Sequence, residues 1–121
     1  MIRALLVLLV LIPSISFASH LYAEKEYQNT WCKKVNGITE YRLADGTRVD
    51  CLTDQYAIEF DFAQKWAEGI GQALYYADMT GRLPGVVLIL EEDGDVRYLD
   101  RLQRVADRYG IVVWPVKPDD F

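Results

Sequence analysis

Residues 48–72, Arg-Val-Asp-Cys-Leu-Thr-Asp-Gln-Tyr-Ala-Ile-Glu-Phe-Asp-Phe-Ala-Gln-Lys-Trp-Ala-Glu-Gly-Ile-Gly-Gln, decide the fold. They read as strand, tight turn, strand and helix, with acids where strands are ordinarily apolar. Pairing Leu52 with Ala57 across the Thr53–Tyr56 turn sets Asp50 opposite Glu59 and Arg48 opposite Asp61. Side chains alternate along a strand. Asp50, Glu59 and Asp61 therefore share one face, while Val49, Cys51, Ile58 and Phe60 share the other. Directly opposed carboxylates repel and weaken a hairpin. A cation held between them removes that penalty. Oxygen ligands in this number suit Mg²⁺, which commonly takes one or two carboxylates, water and a substrate phosphate. The plain alternative is an exposed sheet face balanced by Arg48 and Lys65.

From Phe62 onward the period changes. Phe62, Trp66, Ile70, Ala73, Leu74 and Ala77 form an apolar helical stripe, and Lys65, Glu68 and Gln72 form a separate polar one. Gly69 and Gly71 lie inside this helix, each costing about 1 kcal/mol relative to alanine, so a backbone or ligand is expected to come close there. Upstream, Glu24–Val35 reads as an amphipathic helix with Tyr27, Trp31 and Val35 inward, closed by Asn36-Gly37. Its first turn holds Glu24 and Glu26, where acids suit the helix dipole. Ile38–Ala44 is a strand, joined by Asp45-Gly46 to Thr47–Leu52. Simple register puts Tyr41 beside Asp50 and Glu40 on the other face; a bulge would reverse this, so Glu40 stays undecided.

Downstream, Val86–Leu90 is a continuous apolar run, the mark of a strand covered on both faces. Glu91–Gly94 reads as a solvated turn and Asp95 as the N-cap of a helix that buries Leu99, Leu102, Val105 and Ala106 and ends at Gly110. Arg97, Arg101, Arg104 and Arg108 recur at helical spacing with Asp100 and Asp107 between them. That is a solvated, salt-bridged face or, as the alternative, a strip that tracks phosphates. Ile111–Val116 is the last strand, with Pro115 marking an edge or a strand end. The strands at 86–90 and 111–116 flank a helix and so run parallel. The expected class is α/β, a mixed sheet flanked by helices in the order αβββαβαβ.

A chain of 121 residues accommodates one domain with one core. Met1-Ile2-Arg3, the apolar Ala4–Ile12 and the small-residue Pro13–Ala18 read as a signal peptide spanning 1–18. Ser19 would then begin a single mature domain, 19–121. The apolar run is about half the roughly 20 residues a spanning helix needs. Export to a periplasm or medium is expected, with no membrane span left after cleavage, and His20 becomes a solvated residue of a frayed tail. Arg3 is the sole charge in the leader, so its removal takes the net charge from −5 to −6. That balance is unfavourable for a polyanion, because phosphate affinity comes largely from Lys and Arg. Cys32 and Cys51 are the two cysteines. In an exported chain they suggest one disulfide, closing a loop of about 20 residues and worth about 3 kcal/mol; otherwise they are two buried thiols. With one histidine beside them, a zinc centre is not expected.

Asp50, then Glu59 one strand later, then a helix carrying Lys65 and Gln72 resembles the PD-(D/E)XK nuclease superfamily, nearest to its small restriction-endonuclease-like and Holliday-junction-resolvase-like domains. The resemblance spans most of the chain after residue 18. It implies a restriction-endonuclease-like core and a metal-dependent nuclease acting on nucleic acid, DNA in preference to RNA. On that reading Asp50 and Glu59 hold Mg²⁺ or Mn²⁺. Lys65 stabilises developing charge or positions water, and Gln72 orients water or a phosphate oxygen. The resemblance further implies a first-helix glutamate at the metal, Glu26, and a homodimer of the resolvase kind. The family lysine would stand at position 61, where this chain has Asp61; Lys65 is similar to lysines that have migrated into the helix. Asp61 is then a further ligand or the ion-pair partner of Arg48. The departure at 61 also keeps open a second reading, a non-catalytic periplasmic binding or adaptor module on the same scaffold.

Overall fold

The computed structural model describes residues 10–12 and 19–121, so the leader expected at 1–18 lies almost wholly outside the described residues. Helix α1 (Glu24–Lys34) precedes strands β1 (Ile38–Arg42), β2 (Arg48–Leu52) and β3 (Tyr56–Phe62). Helix α2 (Trp66–Thr80), strand β4 (Leu83–Ile89), helix α3 (Val96–Tyr109) and strand β5 (Val112–Val116) follow. The five strands lie side by side in sequence order. The first three are antiparallel neighbours, whereas β3, β4 and β5 run parallel. The class is α/β, a mixed sheet flanked by helices. Among the described residues no helix is long and apolar enough to cross a membrane.

Period-2 alternation divides the core into two layers. Ile58, Phe60, Phe62, Val87 and Ile89 pack under α1 with Tyr27 and Cys32. Val86 and Leu88 pack on the opposite face with Ala73 of α2 and Leu102 and Ala106 of α3. Burial on both faces is why β4 reads as an unbroken apolar run. β3 is equally buried, yet it carries Glu59 and Asp61 on its α2 face. Pro115 stands in β5, at the sheet edge, where its missing N–H costs no ladder bond.

Helix α1 is turned by about one position from the expected stripe. Its buried residues are Tyr27, Gln28 and Cys32, while Val35 is 40% exposed. A covalent bond and a polar contact explain the turn: Cys32 is disulfide-bonded to Cys51 with Cα atoms 5.8 Å apart, and Gln28 reaches into the sheet. Gly37 makes room for the bridge, since a Cβ there would lie 2.5 Å from Cys51 Sγ and 2.6 Å from Cys32 Sγ.

Four further expectations are corrected. Phe62 ends β3, paired with Ile89, instead of opening the helix. A 3₁₀ turn at Ala63–Lys65 follows, so Lys65 is the N-cap of α2. The Asp95 carboxylate makes no cap bond to α3; it turns back to accept the N–H groups of Glu91 and Glu92 at 3.0 and 3.1 Å. The α3 arginines form no salt bridge with Asp100 or Asp107 among the described residues. Arg97 and Arg101 instead stand over the Tyr98 ring, 4.7 and 5.5 Å from its centroid. His20 is not frayed. Its ring stacks on Phe62 at 3.4 Å between centroids, and Nδ1 meets Glu91 Oε1 at 2.5 Å. Glu91 also accepts from the Leu21 N–H and the Tyr27 hydroxyl, at 2.9 and 2.8 Å. Burial acts to raise the Glu91 pKa, but these hydrogen bonds win and hold it below the usual carboxylate range. The turn expected to be solvated therefore anchors the segment before α1.

Candidate functional site

Strands β2 and β3 leave their turn as an ordinary antiparallel pair, Leu52 opposite Ala57 and Cys51 opposite Ile58, which is the expected register. Beyond Cys51 the main-chain ladder stops and carboxylates take its place. Asp50 Oδ2 accepts the Phe60 N–H at 2.8 Å, and Glu59 Oε1 accepts the Asp50 N–H at 3.2 Å. The other edge of β2 is interrupted at the same residue. β1 pairs Thr39 with Cys51 and Tyr41 with Val49 but skips Glu40 and Asp50. Glu40 sits there at φ 52°, a left-handed conformation uncommon outside glycine. Gln28 of α1, 3% exposed, fills the gap; its amide donates to the Asp50 carbonyl at 2.8 Å and to Glu40 Oε1 at 3.0 Å. Glu40, undecided from sequence, thus joins the cluster through a local break in the ladder.

Burial sets the electrostatics. Glu59 and Asp61 are 4% and 6% exposed, and among the described residues neither forms a salt bridge. Desolvation pushes Glu59 upward, and the negative charge of Asp50 pushes it further. Asp50 is also raised by burial, against the Phe60 N–H and a hydrogen bond from Glu59 that favour its charged form. Both carboxyls are thus pushed toward their protonated forms, Glu59 more strongly than Asp50. Asp61 rises to about 8, first from desolvation, then from the charges of Glu24, Asp50 and Glu68, with Lys65 opposing. Its Oδ2 is buried and accepts no hydrogen bond from any described residue.

The residues named from sequence divide on this geometry. Asp50, Glu59 and Asp61 come together as the alternation implied. Lys65 is exposed, but its charge bears on both Asp61 and Glu24. Gln72 is exposed on α2 and makes no hydrogen bond to the cluster. From the first helix it is Glu24 whose pKa is raised by burial and by Asp50, whereas Glu26 lines a separate surface pocket with Tyr22, Tyr27 and Phe121. Arg48 is exposed and stands across from Arg42, so the expected Arg48–Asp61 ion pair is absent. Sequence reasoning missed Glu24 and Gln28. Their signal was the spacing Glu24, Gln28, Cys32, a half-polar i, i+4, i+8 stripe that hydrophobic periodicity passes over.

The close neighbour at Gly69 is a side chain and not the backbone or ligand expected, since a Cβ there would overlap Asp61 Oδ2, and Gly71 has open space around it. The two glycines should therefore respond to alanine with opposite signs. Gly71→Ala should stabilise by up to about 1 kcal/mol through helix propensity alone. Gly69→Ala should destabilise by about 1–2 kcal/mol, overpacking outweighing the same propensity gain. Combining it with Asp61→Ala should recover the loss. Chemical denaturation of the four proteins checks this, and equal responses at 69 and 71 would remove the packing explanation.

Comparison with protein families, curated proteins and solved structures finds no match to this chain. The cluster is read from its own chemistry. Among the described residues no three His, Cys, Asp or Glu side chains are gathered closely enough to hold an ion as they stand. The donors nevertheless suit a hard divalent cation: two carboxyls on adjacent strands, Asp50 and Glu59, each raised in pKa by burial, with the Asp61 oxygen that no described residue partners on the same face. Asp50 and Glu59 are the residues that could hold one.

Proposed function

We propose that this chain is a Mg²⁺- or Mn²⁺-dependent nuclease with a restriction-endonuclease-like core, hydrolysing phosphodiesters of nucleic acid, DNA in preference to RNA. The observation that carries the reading is the replacement of main-chain pairing by Asp50 and Glu59 in the middle of the sheet. A protein gains nothing in stability by burying opposed acids there without a partner. Asp50 and Glu59 would hold the ion. When bound, it would lower the pKa of its water and neutralise charge at phosphorus. Phe60 and Asp50 N–H groups orient the two carboxylates, and Gln28 holds β2 from behind. Lys65, at the positive end of α2, is the cation available to offset charge developing on a phosphate oxygen. Gln72 lies one turn beyond Glu68 on the same helix and would serve a substrate, not the ion. Export belongs to the same proposal; it rests on the Met1–Ala18 pattern, and the Cys32–Cys51 bridge is chemistry that persists in oxidising compartments.

The net charge of −5 favours a second reading, a non-catalytic binding or adaptor module whose acidic surface meets a protein. One set of experiments separates the two. Plasmid, linear and single-stranded DNA and RNA are incubated with the protein and Mg²⁺, Mn²⁺ or EDTA, beside Glu59→Gln and Lys65→Ala. The nuclease reading expects metal-dependent cleavage that falls by about 10²-fold or more in each variant. Cleavage that survives Glu59→Gln points to a contaminant. No cleavage, with no Mn²⁺ uptake by calorimetry, gives the binding module precedence.

A further inference from the structure

Away from the acid cluster, on the α1 side of the sheet, the cover ends at the last turn of α1. An open pocket of about 530 Å³ lies there between the helix end, the Thr53–Tyr56 turn and β5. Three half-buried aromatics form its walls. Trp31 and Trp114 stand 5.3 Å apart between centroids at 56°, and Tyr56 meets Trp114 edge-on at 5.1 Å and 88°. The Trp114 indole is fixed in place over Gly85, where a Cβ would come within 2.5 Å of it. Asn36, Asp54 and Gln55 complete the rim; all three are exposed, and their side chains make no hydrogen bond to another described residue.

Charge decides what such a pocket prefers. No Lys or Arg lines it, and Asp54 is its one charged group. Three basic residues stand around it without lining it. Lys34 donates to the Asp120 carbonyl at 3.0 Å, Lys33 lines an adjoining depression that shares Asn36, and Arg82 has its charge taken up by the carbonyl of Thr53, a residue of the pocket wall. The carboxyl end of α1, the negative end of its dipole, closes one side. Tryptophan faces, a carboxylate and a helix C-terminus all favour positive charge, and a weakly hydrated alkylated ammonium gains most from aromatic walls.

We propose that the Trp31–Tyr56–Trp114 pocket binds a small organic cation of the quaternary-ammonium type. The site is independent of the nuclease reading, lying on the other face of the sheet from Asp61 and α2. Three tryptophans make the test internally controlled, because Trp66 packs in the α2–α3 layer. Indole N–H resonances of the intact protein are followed during titration with choline chloride. A parallel titration uses 3,3-dimethylbutan-1-ol, its uncharged carbon isostere. The expected result is a saturable shift of Trp31 and Trp114 with a dissociation constant on the order of millimolar, with Trp66 unmoved. The isostere should bind about tenfold more weakly, since the cation–π and carboxylate terms vanish with the charge. Asp54→Asn, an exposed turn substitution that spares the core, should weaken choline about fivefold. Equal response to the isostere would reduce the pocket to an apolar cleft and overturn the proposal. So would the absence of a Trp31 or Trp114 shift at about 100 mM choline, well above a millimolar constant.

Discussion

In EDTA, the melting temperature should fall as the pH is raised from 5 to 8, the reverse of ordinary acid denaturation. Asp61 carries the effect. In the unfolded chain an aspartate loses its proton near pH 4, whereas in the fold burial and neighbouring acids hold the Asp61 pKa at about 8. Between those values the folded state binds a proton that the unfolded state has released. Each rising pH unit then costs about 1.4 kcal/mol per such group. The stabilisation is complete below pH 4 and exhausted as the pH passes 8. Asp61 alone would remove about 3 kcal/mol over two pH units, or on the order of 10 °C in a domain of this size. The raised pKa of Glu59 acts in the same direction. Glu91 and Asp45, whose pKa values are lowered, titrate on the acid side and leave this window untouched. Asp61→Asn should flatten the profile and melt higher than the parent protein at pH 8. Mn²⁺ should raise the melting temperature more at pH 8 than at pH 5, because binding at carboxylates has fewer protons to displace as the pH rises. A flat profile from pH 5 to 8 in EDTA would mean that Asp61 is ionised in the fold and that some compensation escapes the present geometry.

Opening the Cys32–Cys51 bridge should cost about 3 kcal/mol, the loop-closure value for 19 residues of separation, and lower the melting temperature by on the order of 10 °C. The site should feel the loss beyond the change in stability, because the bridge flanks the cluster on both of the segments it joins. Cys51 adjoins Asp50, and Cys32 lies one helical turn past Gln28, which holds the Asp50 carbonyl and Glu40. Denaturant curves of the oxidised protein and of a Cys32→Ala, Cys51→Ala variant give the number, and thiol titration of the unfolded oxidised protein verifies the bridge. A difference under about 1 kcal/mol would sink the claim that the crosslink contributes substantially to stability. Nuclease or Mn²⁺ measurements on the variant under conditions where it remains folded would report the local effect on its own.

Much of the architecture was legible because apolar spacing carries it. The period of two in residues 57–60, the unbroken run at 86–90 and the arginine-flanked stripe of 99–106 each reflect which side chains leave water. The register of the hairpin followed from its turn, and with it the convergence of Asp50, Glu59 and Asp61. What was not legible depended on polar side chains doing main-chain work. Gln28 occupies a buried position in α1 because it replaces strand pairing, and no hydrophobicity pattern announces that. Glu24 was passed over for Glu26 because the orientation of α1 is set by Cys32 and Gln28, not by its aromatics. His20 was misjudged because its partners, Phe62 and Glu91, are distant in sequence. Phe62 was assigned to the helix because a strand-ending residue and a helix-opening one look alike when both are apolar.

The cluster is built into the hydrogen-bond network of the sheet and does not merely sit on its surface. The amides of Asp50 and Phe60 are held by carboxylates, not by carbonyls of the neighbouring strand. A carbonyl is a constant acceptor, but a carboxylate weakens as an acceptor when protonated and can turn toward a metal. Amide exchange at these two positions is thus coupled to the charge state of the site, while Ala57 and Ile58, a few ångströms along the same strand, keep conventional partners. The β2–β3 hairpin is thus closed by main-chain pairs on its turn side and by side-chain acids beyond them, so that any ion taken up by those acids would compete with the bonds that join the two strands.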